Sequence, residues 1–186
     1  VVHIDNERIM WVNTETKDFE SYELPQDERW AYASVAYVKE IIKSAQLVIP
    51  DGIGVELGFK ILGKYNVRRI AGIDFAKSMI KKYSENGLPI ALIGAKREVL
   101  NLACDNLKKE FENLNIVYKC DGFFENEEIV ENELKNSAAQ LVLVALGSPK
   151  QEEFIYKIKN EMPNTLFIGV GGSFDVWSNC VKRAHS

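Results

Sequence analysis

Residues 141–159 read LVLVALGSPKQEEFIYKIK, and the fold follows from this stretch. Its apolar run, 141–146, is short and contains β-branched valines, which favours a buried strand over a helix. The run stops at Gly147, and Pro149 opens a charged amphipathic segment, as proline does in a first helical turn, where its missing N–H would be unpaired anyway. The stretch therefore predicts a strand that leads into a helix, with Gln151 near the helix N-terminus. Its polar end would lie at the carboxyl edge of a sheet, where ligands bind in open α/β proteins.

Helix and strand patterns alternate along the chain from Gln26 onward. Helices are predicted over residues 27–44, 53–62, 73–86, 97–112, 126–135 and 150–160. Strands are predicted over residues 46–49, 89–93, 115–119, 141–146 and 165–168. Repeated β-α units with right-handed crossovers build a parallel sheet covered on both faces. The sequence thus predicts an α/β fold with a Rossmann-like, mostly parallel sheet and helices on both faces.

Residues 1–24 differ from the rest of the chain. Two alternating segments, 8–13 and 19–24, flank the polar run Thr14–Asp18, a pattern typical of a β-hairpin. We expect this N-terminal β-hairpin to pack on an edge of the main sheet. Because no linker, repeat or low-complexity tract interrupts the chain, we expect a single domain over residues 1–186.

The composition argues against several classes of protein. The 186 residues are 46% hydrophobic, carry a net charge of −4 and scatter their Lys and Arg residues, which disfavours nucleic acid as a partner. No apolar run reaches the roughly 18 residues of a membrane span and no secretory signal opens the chain, so we expect a soluble, cytoplasmic protein. The three cysteines are widely spaced without a C-x-x-C pair, which suggests neither a disulfide framework nor a zinc site.

Four polar loops follow or flank the predicted strands, and each alone has an ordinary interpretation. They are Pro50–Gly54, Arg68–Asp74, Gly147–Glu152 and Gly169–Asp175. The Pro-Asp-Gly tripeptide is a common turn, and Asp74 is placed to cap the helix that follows. The last loop contains Gly-Val-Gly-Gly, which favours backbone contacts to phosphates but lacks the third glycine of an NAD fingerprint. An oxidoreductase or methyltransferase that uses this glycine loop is the alternative to consider.

Taken together, the four loops predict one site. Parallel strands point their carboxyl ends the same way, so the loops meet at one crevice. The crevice would hold carboxylates, the Arg69 guanidinium, an amide and backbone N–H groups. Such a set suits chemistry in which a diphosphate leaves, because Arg69 and glycine N–H groups bind the anion while a carboxylate takes a proton from an attacking hydroxyl.

Several stretches carry a resemblance to a known family. They are residues 45–55, 69–74, 144–152 and 168–176, with Lys182–Ala184 closing the match. In order and spacing they resemble the WecG/TagA/CpsF family of bacterial glycosyltransferases over residues 27–186. The resemblance implies an inverting, metal-independent glycosyltransferase without a cofactor, which moves a hexosamine or related sugar from a UDP-sugar to a polyprenyl-diphosphate-linked saccharide. Such steps serve bacterial cell-surface polysaccharide or teichoic acid synthesis.

The resemblance also assigns roles to residues. Asp51 in the Pro-Asp-Gly motif matches the family's general base, which would deprotonate the acceptor hydroxyl. The residues matched to substrate binding are Arg69, Asp74, Gln151, Gly169, Gly171, Gly172 and Asp175. The chain has no D-x-D motif to supply ligands for a diphosphate-bound metal, so positive side chains and backbone donors would stabilise the departing UDP.

The sequence departs from the family's pattern in two places. The family's Thr-x-Asn motif would fall at Glu23–Gln26, which contains neither residue, and the similar Asn13-Thr14 lies at the wrong distance. The family continues into a basic C-terminal tail whose resemblance implies contact with the membrane, and we expect that tail to be missing after Ala184, where His185 replaces a proline. We therefore expect the full-length protein to be peripheral to the inner face of the cell membrane, and a homo-oligomer stays open. The alternative is a catalytically weak nucleotide-sugar-binding relative that acts as an interaction module.

Overall fold

The computed structural model describes residues 3–4, 9–10, 40–48 and 70–183. The chain divides into two compact units, Val1–Arg69 and Ile70–Ser186. In the first unit, strand β1 (His3–Ile4) pairs antiparallel with strand β2 (Ile9–Met10), and residues 40–43 are helical. The expectation of a single domain stays a prediction.

The second unit has an α/β architecture. In chain order its elements are α1 (Gly72–Glu85), β3 (Ile90–Gly94), α2 (Arg97–Glu110), β4 (Ile116–Cys120), α3 (Glu127–Asn136), β5 (Leu141–Ala145), α4 (Lys150–Ile158), β6 (Leu166–Gly169) and α5 (Ser173–Trp177). Its strands form a four-stranded parallel sheet in the order β4-β3-β5-β6. These elements confirm the predicted α/β fold with a parallel sheet.

Burial explains the order of the strands. Every residue of β3 and β5 is buried, as expected for central parallel strands, whose sequences are nearly continuous apolar runs. Strand β4 instead alternates. Val117 and Lys119 are exposed, whereas Ile116, Tyr118 and Cys120 are half-buried. This alternation suits the outer position of β4, where one face of the strand is less well covered.

Helices cover both faces of the sheet, as predicted. One core cluster packs α1, α2 and α5 against the sheet, with Leu107 and Phe174 among its fully buried side chains. The other packs α3 and α4 against the opposite face through Leu134 and Phe154. Burying each such side chain contributes about 1.5–3 kcal/mol, so the two clusters fix the helices on the sheet. Among the helices within the described ranges, none is both long and apolar enough to cross a membrane.

The predicted elements between residues 73 and 168 agree with the observed ones to within a few residues. The strand predicted over 46–49 does not form at residues 46–48, where Leu47 is 67% and Val48 59% exposed. That prediction was wrong for these residues because apolar character alone does not provide the neighbouring strand that strand backbone hydrogen bonds require. The helix predicted over 53–62 lies outside the described residues.

The N-terminal hairpin differs from the predicted one. Ile9–Met10, within the predicted first arm, pairs with His3–Ile4. The predicted second arm, 19–24, lies outside the described part of the chain. The sequence does contain a turn-forming dipeptide, Asp5-Asn6, between the two observed strands, but the longer polar run Thr14–Asp18 was the stronger turn signal.

Candidate functional site

The strand order creates a crevice at the carboxyl edge of the sheet. From β3 the chain moves outward to β4 and then returns past β3 to β5. The helices that follow β3 and β5, α2 and α4, pack on opposite faces of the sheet. Ligands bind at such a topological switch point in open α/β sheets. The loops that follow the four strands therefore form the candidate site.

Close backbone contacts hold the carboxyl ends of β3, β4 and β5 together. Gly94 has a φ of +121°, and a Cβ at this position would lie 2.2 Å from the carbonyl oxygen of Ala145. The Ala95 N–H donates a hydrogen bond of 3.0 Å to that same oxygen, and the Gly122 N–H donates one of 2.8 Å to the Ala95 carbonyl. The three loops therefore form one continuous wall of the crevice.

A charged pair lies at the β4 end of this wall. The Arg97 Nε donates a 2.9 Å hydrogen bond to Asp121 Oδ2, and the backbone N–H of Phe123 donates a 3.1 Å bond to Asp121 Oδ1. The Arg97 hydrogen bond is the main cause that lowers the pKa of Asp121, and the same bond raises the pKa of Arg97. Because Asp121 stays ionised and bonded to the backbone, it orients the loop in which Phe123 is 71% exposed.

Gln151 lies in the first turn of α4, as the sequence predicted. Its N–H donates to the Gly147 carbonyl at 2.9 Å, which starts the helix directly after β5. The side chain is buried, and its Oε1 accepts a 3.1 Å hydrogen bond from the backbone N–H of Gly171. A Cβ on Gly169 would lie 3.0 Å from Gln151 Nε2, so the glycine leaves room for the amide. The structure thus brings Gln151 together with Gly169 and Gly171.

Glu152 is a residue of this site to which the sequence assigned no role. Its Oε1 accepts a 2.8 Å hydrogen bond from Gln151 Nε2, while its Oε2 is buried without a hydrogen-bond partner. The only sequence signal was its position beside Gln151 in the first turn of α4.

The glycine loop after β6 is shorter than predicted. Only Val170 to Gly172 separate the strand from α5. The sequence did not predict this short helix, because the glycines before it favour a loop. Gly171 has a φ of +49°, which favours glycine, and Asp175 lies in the first turn of α5. The Asp175 Oδ2 would be 3.9 Å from a Cβ on Gly172, so this carboxylate borders the loop.

Asp74 lies near the start of the second unit, in the first turn of α1. Arg183 Nη1 and Nη2 donate hydrogen bonds of 2.7 and 2.6 Å to its two carboxylate oxygens, across 109 residues of sequence. The cap position before this helix is Ala71, so Asp74 stands within the first turn and not at the cap position itself. A pairing over this separation leaves no signal in a single sequence.

Asp51 and Arg69 lie outside the described residues, so their places in the site stay predictions. Where the chain is described, no group of three or more His, Cys, Asp or Glu side chains is arranged to hold a metal ion. Among the described residues other than the chain neighbours of each glycine, none has an atom within 4 Å of the position that a Cβ would take on Gly147 or Gly171.

Comparisons with known proteins agree with the motifs. A model of the glycosyl transferase WecG/TagA/CpsF family matches residues 30–186. An N-acetylglucosaminyldiphosphoundecaprenol N-acetyl-beta-D-mannosaminyltransferase of Bacillus spizizenii is 36% identical over 146 residues, which cover 78% of this chain and 57% of that protein. The protein of the same name from Bacillus subtilis is 34% identical over 147 residues, 79% of this chain and 57% of that protein. The chain therefore spans little more than half the length of these relatives.

Proposed function

The chain belongs to the WecG/TagA/CpsF family, as its motifs predicted, and we propose that it transfers a sugar from a UDP-sugar to a polyprenyl-diphosphate-linked saccharide. The observation that carries the proposal is the family match over residues 30–186, a range that includes Asp51, Gln151 and the glycine loop. The names of the two relatives suggest N-acetylmannosamine as the sugar and N-acetylglucosaminyl-diphosphoundecaprenol as the acceptor. The product would serve teichoic acid or another cell-surface polysaccharide.

The proposed reaction is a single displacement with inversion. Asp51 removes the proton from the acceptor hydroxyl as that oxygen attacks the anomeric carbon, and the bond to the UDP oxygen breaks. Arg69 and backbone N–H groups stabilise the charge on the departing diphosphate without a metal ion. Asp74 and Asp175 are assigned to substrate binding by the family resemblance.

The described loops support this assignment through their geometry. The crevice lies at the switch point of the sheet, and no described residue beyond the chain neighbours fills the positions beside Gly147 and Gly171. Gln151 bonds the Gly171 N–H and thereby orders the glycine loop that we assign to the nucleotide sugar. Since the acceptor carries a polyprenyl chain, we further propose that the full-length protein works at the inner face of the cell membrane.

The test is sugar transfer by the full-length protein. UDP release from UDP-N-acetylmannosamine is measured with a lipid-diphosphate acceptor analogue, with and without EDTA. We expect turnover that EDTA leaves unchanged, an inverted anomeric centre in the product, and a fall in kcat of about 100-fold or more for Asp51→Asn. The matched control is Asp105→Asn, which neutralises an exposed carboxylate of α2 and should leave kcat unchanged. Full activity in Asp51→Asn would refute the assignment of the base.

A second candidate is a nucleotide-sugar-binding relative with little activity. It is favoured by the residues Glu23–Gln26, which stand where the family has its Thr-x-Asn motif. Calorimetry distinguishes the two candidates, because this one predicts UDP binding by the full-length protein without turnover on any lipid-diphosphate acceptor.

A further inference from the structure

The side-chain amide of Gln151 makes both of its hydrogen bonds in only one of its two orientations. A glutamine side chain presents an acceptor oxygen and a donor nitrogen that occupy nearly the same space, so packing alone does not select between the two rotations. Only the rotation with Oε1 towards Gly171 accepts the 3.1 Å hydrogen bond from its N–H. The opposite rotation would set two donors against each other.

Glu152 selects between the two orientations of the Gln151 amide. An ionised carboxylate accepts hydrogen bonds and donates none, so its contact with the amide of Gln151 requires Nε2 on that side. The 2.8 Å bond from Nε2 to Glu152 Oε1 therefore forces Oε1 towards Gly171. Adjacent residues on a helix point about 100° apart, so the two side chains must bend towards each other to make this contact.

Glu152 is half-buried, and the burial of one of its carboxylate oxygens indicates that this contact is not incidental. Its Oε2 is withdrawn from solvent and has no hydrogen-bond partner, which is unfavourable for a charged oxygen. An apolar residue would fill the same space without that desolvation. A carboxylate at this position accepts the hydrogen bond from Gln151, whereas an apolar side chain could not make that bond.

We propose that Glu152 is a positioning residue that fixes the amide of Gln151 and, through it, the glycine loop at the donor site. Glu152 touches neither substrate. Its effect passes from its Oε1 to Gln151 Nε2, and from Gln151 Oε1 to the Gly171 N–H. The part that concerns the donor rests on the proposed function, whereas the effect on the Gly171 N–H does not.

The test compares Glu152→Gln with Glu153→Gln in the full-length protein. Glu152→Gln keeps the size of the side chain but can present either an oxygen or an amino group to Gln151. Glu153→Gln makes the same chemical change one residue further along α4, away from this contact. The first readout is hydrogen exchange of the Gly171 amide by NMR, without substrate. We expect exchange about tenfold faster in Glu152→Gln and unchanged in Glu153→Gln, as loss of one hydrogen bond predicts.

The second readout is kinetic. We expect Glu152→Gln to raise the donor KM about tenfold, the effect of one lost charge-assisted hydrogen bond, while the acceptor KM stays the same. In a Gln151→Ala background the same substitution should add nothing, because its effect passes through Gln151. A general loss of folding would instead lower the apparent kcat and the melting temperature and leave both KM values unchanged. Glu152→Ala, which also removes the orienting acceptor, serves as the second variant if Glu152→Gln does not fold.

Each outcome has a defined meaning. If Glu152→Gln matches Glu153→Gln in Gly171 exchange, or if its effect persists undiminished in Gln151→Ala, the positioning role is refuted. If the wild-type protein transfers no sugar but Gly171 exchange responds as expected, the proposed function fails while the positioning of the loop stands.

Discussion

Replacing Gly94 by alanine tests how the wall between β3 and β5 is built. The added Cβ would lie 2.2 Å from the Ala145 carbonyl oxygen, whereas real Cβ contacts are essentially never closer than 3.0 Å. Both atoms belong to backbone or are fixed to it, so no side chain can turn away to relieve the overlap. The ends of β3 and β5 must separate, and the 3.0 Å hydrogen bond from Ala95 N–H to Ala145 is lost or weakened.

The magnitude follows from two contributions. A non-glycine residue at positive φ costs about 1–2 kcal/mol. Leaving a buried backbone hydrogen bond unmade costs about 1–3 kcal/mol more. We therefore expect Gly94→Ala to lower the free energy of unfolding by about 3 kcal/mol or more, a large part of the roughly 5–15 kcal/mol that stabilises a typical protein.

Urea denaturation followed by circular dichroism measures this change. The matched control is Gly87→Ala, because Gly87 also has a positive φ, +62°, but no described residue other than its chain neighbours has an atom within 4 Å of the Cβ position. This control should lose only about 1–2 kcal/mol, the cost of the backbone conformation alone. Equal losses in the two variants would mean that the Gly94–Ala145 contact does not constrain the sheet, and the reasoning would be wrong.

Two further predictions concern ionisable groups. Arg97 holds the pKa of Asp121 below its ordinary value of 3.8, so this pair stabilises the fold above that pH, and the stabilisation is lost as pH falls through the lowered pKa. The difference in unfolding free energy between the wild-type protein and Asp121→Asn should therefore shrink as the pH falls below 3.8, and a difference that stays constant would contradict this. For the cysteines, burial raises the pKa of Cys104 and hides its thiol, whereas Cys180 is exposed. A bulky thiol reagent should modify Cys180 in the native protein and Cys104 only after unfolding, and equal rates in peptide mass spectrometry would disprove the buried position of Cys104.

The parts of the fold that the sequence predicted are those set by local patterns. The run of residues 141–146 and the proline after it specify a strand and a helix start within a few residues of each other, so the place of Gln151 followed directly. The apolar run of residues 89–93 likewise predicted a strand, and β3 forms there within a residue of the predicted bounds. Periodicity and turn chemistry act over short distances, which is why both could be derived without a structure.

The parts that the sequence did not predict depend on contacts between distant residues. Asp74 and Arg183 are 109 residues apart, and neither pattern nor propensity connects them. The fit of Gly94 against Ala145 depends on the register of two strands, which only the folded sheet defines. Helix α5 was missed for a different reason, because the preceding glycines dominate the local signal and its short length leaves no clear period.

Ala95 links the three strand ends in series, since it donates to the end of β5 and accepts from the loop after β4. Movement of one of these loops must therefore break a backbone hydrogen bond to the next. This side of the crevice is preorganised, and a ligand that binds against it loses little free energy in ordering it. The glycine loop is held in two ways, because the Val170 N–H donates a 2.8 Å hydrogen bond to the Val144 carbonyl and the Gly171 N–H donates one to the side chain of Gln151. Of these two attachments, the bond to Gln151 is the one that a change of rotamer can release, so any adjustment of the glycine loop to a ligand passes through that side chain.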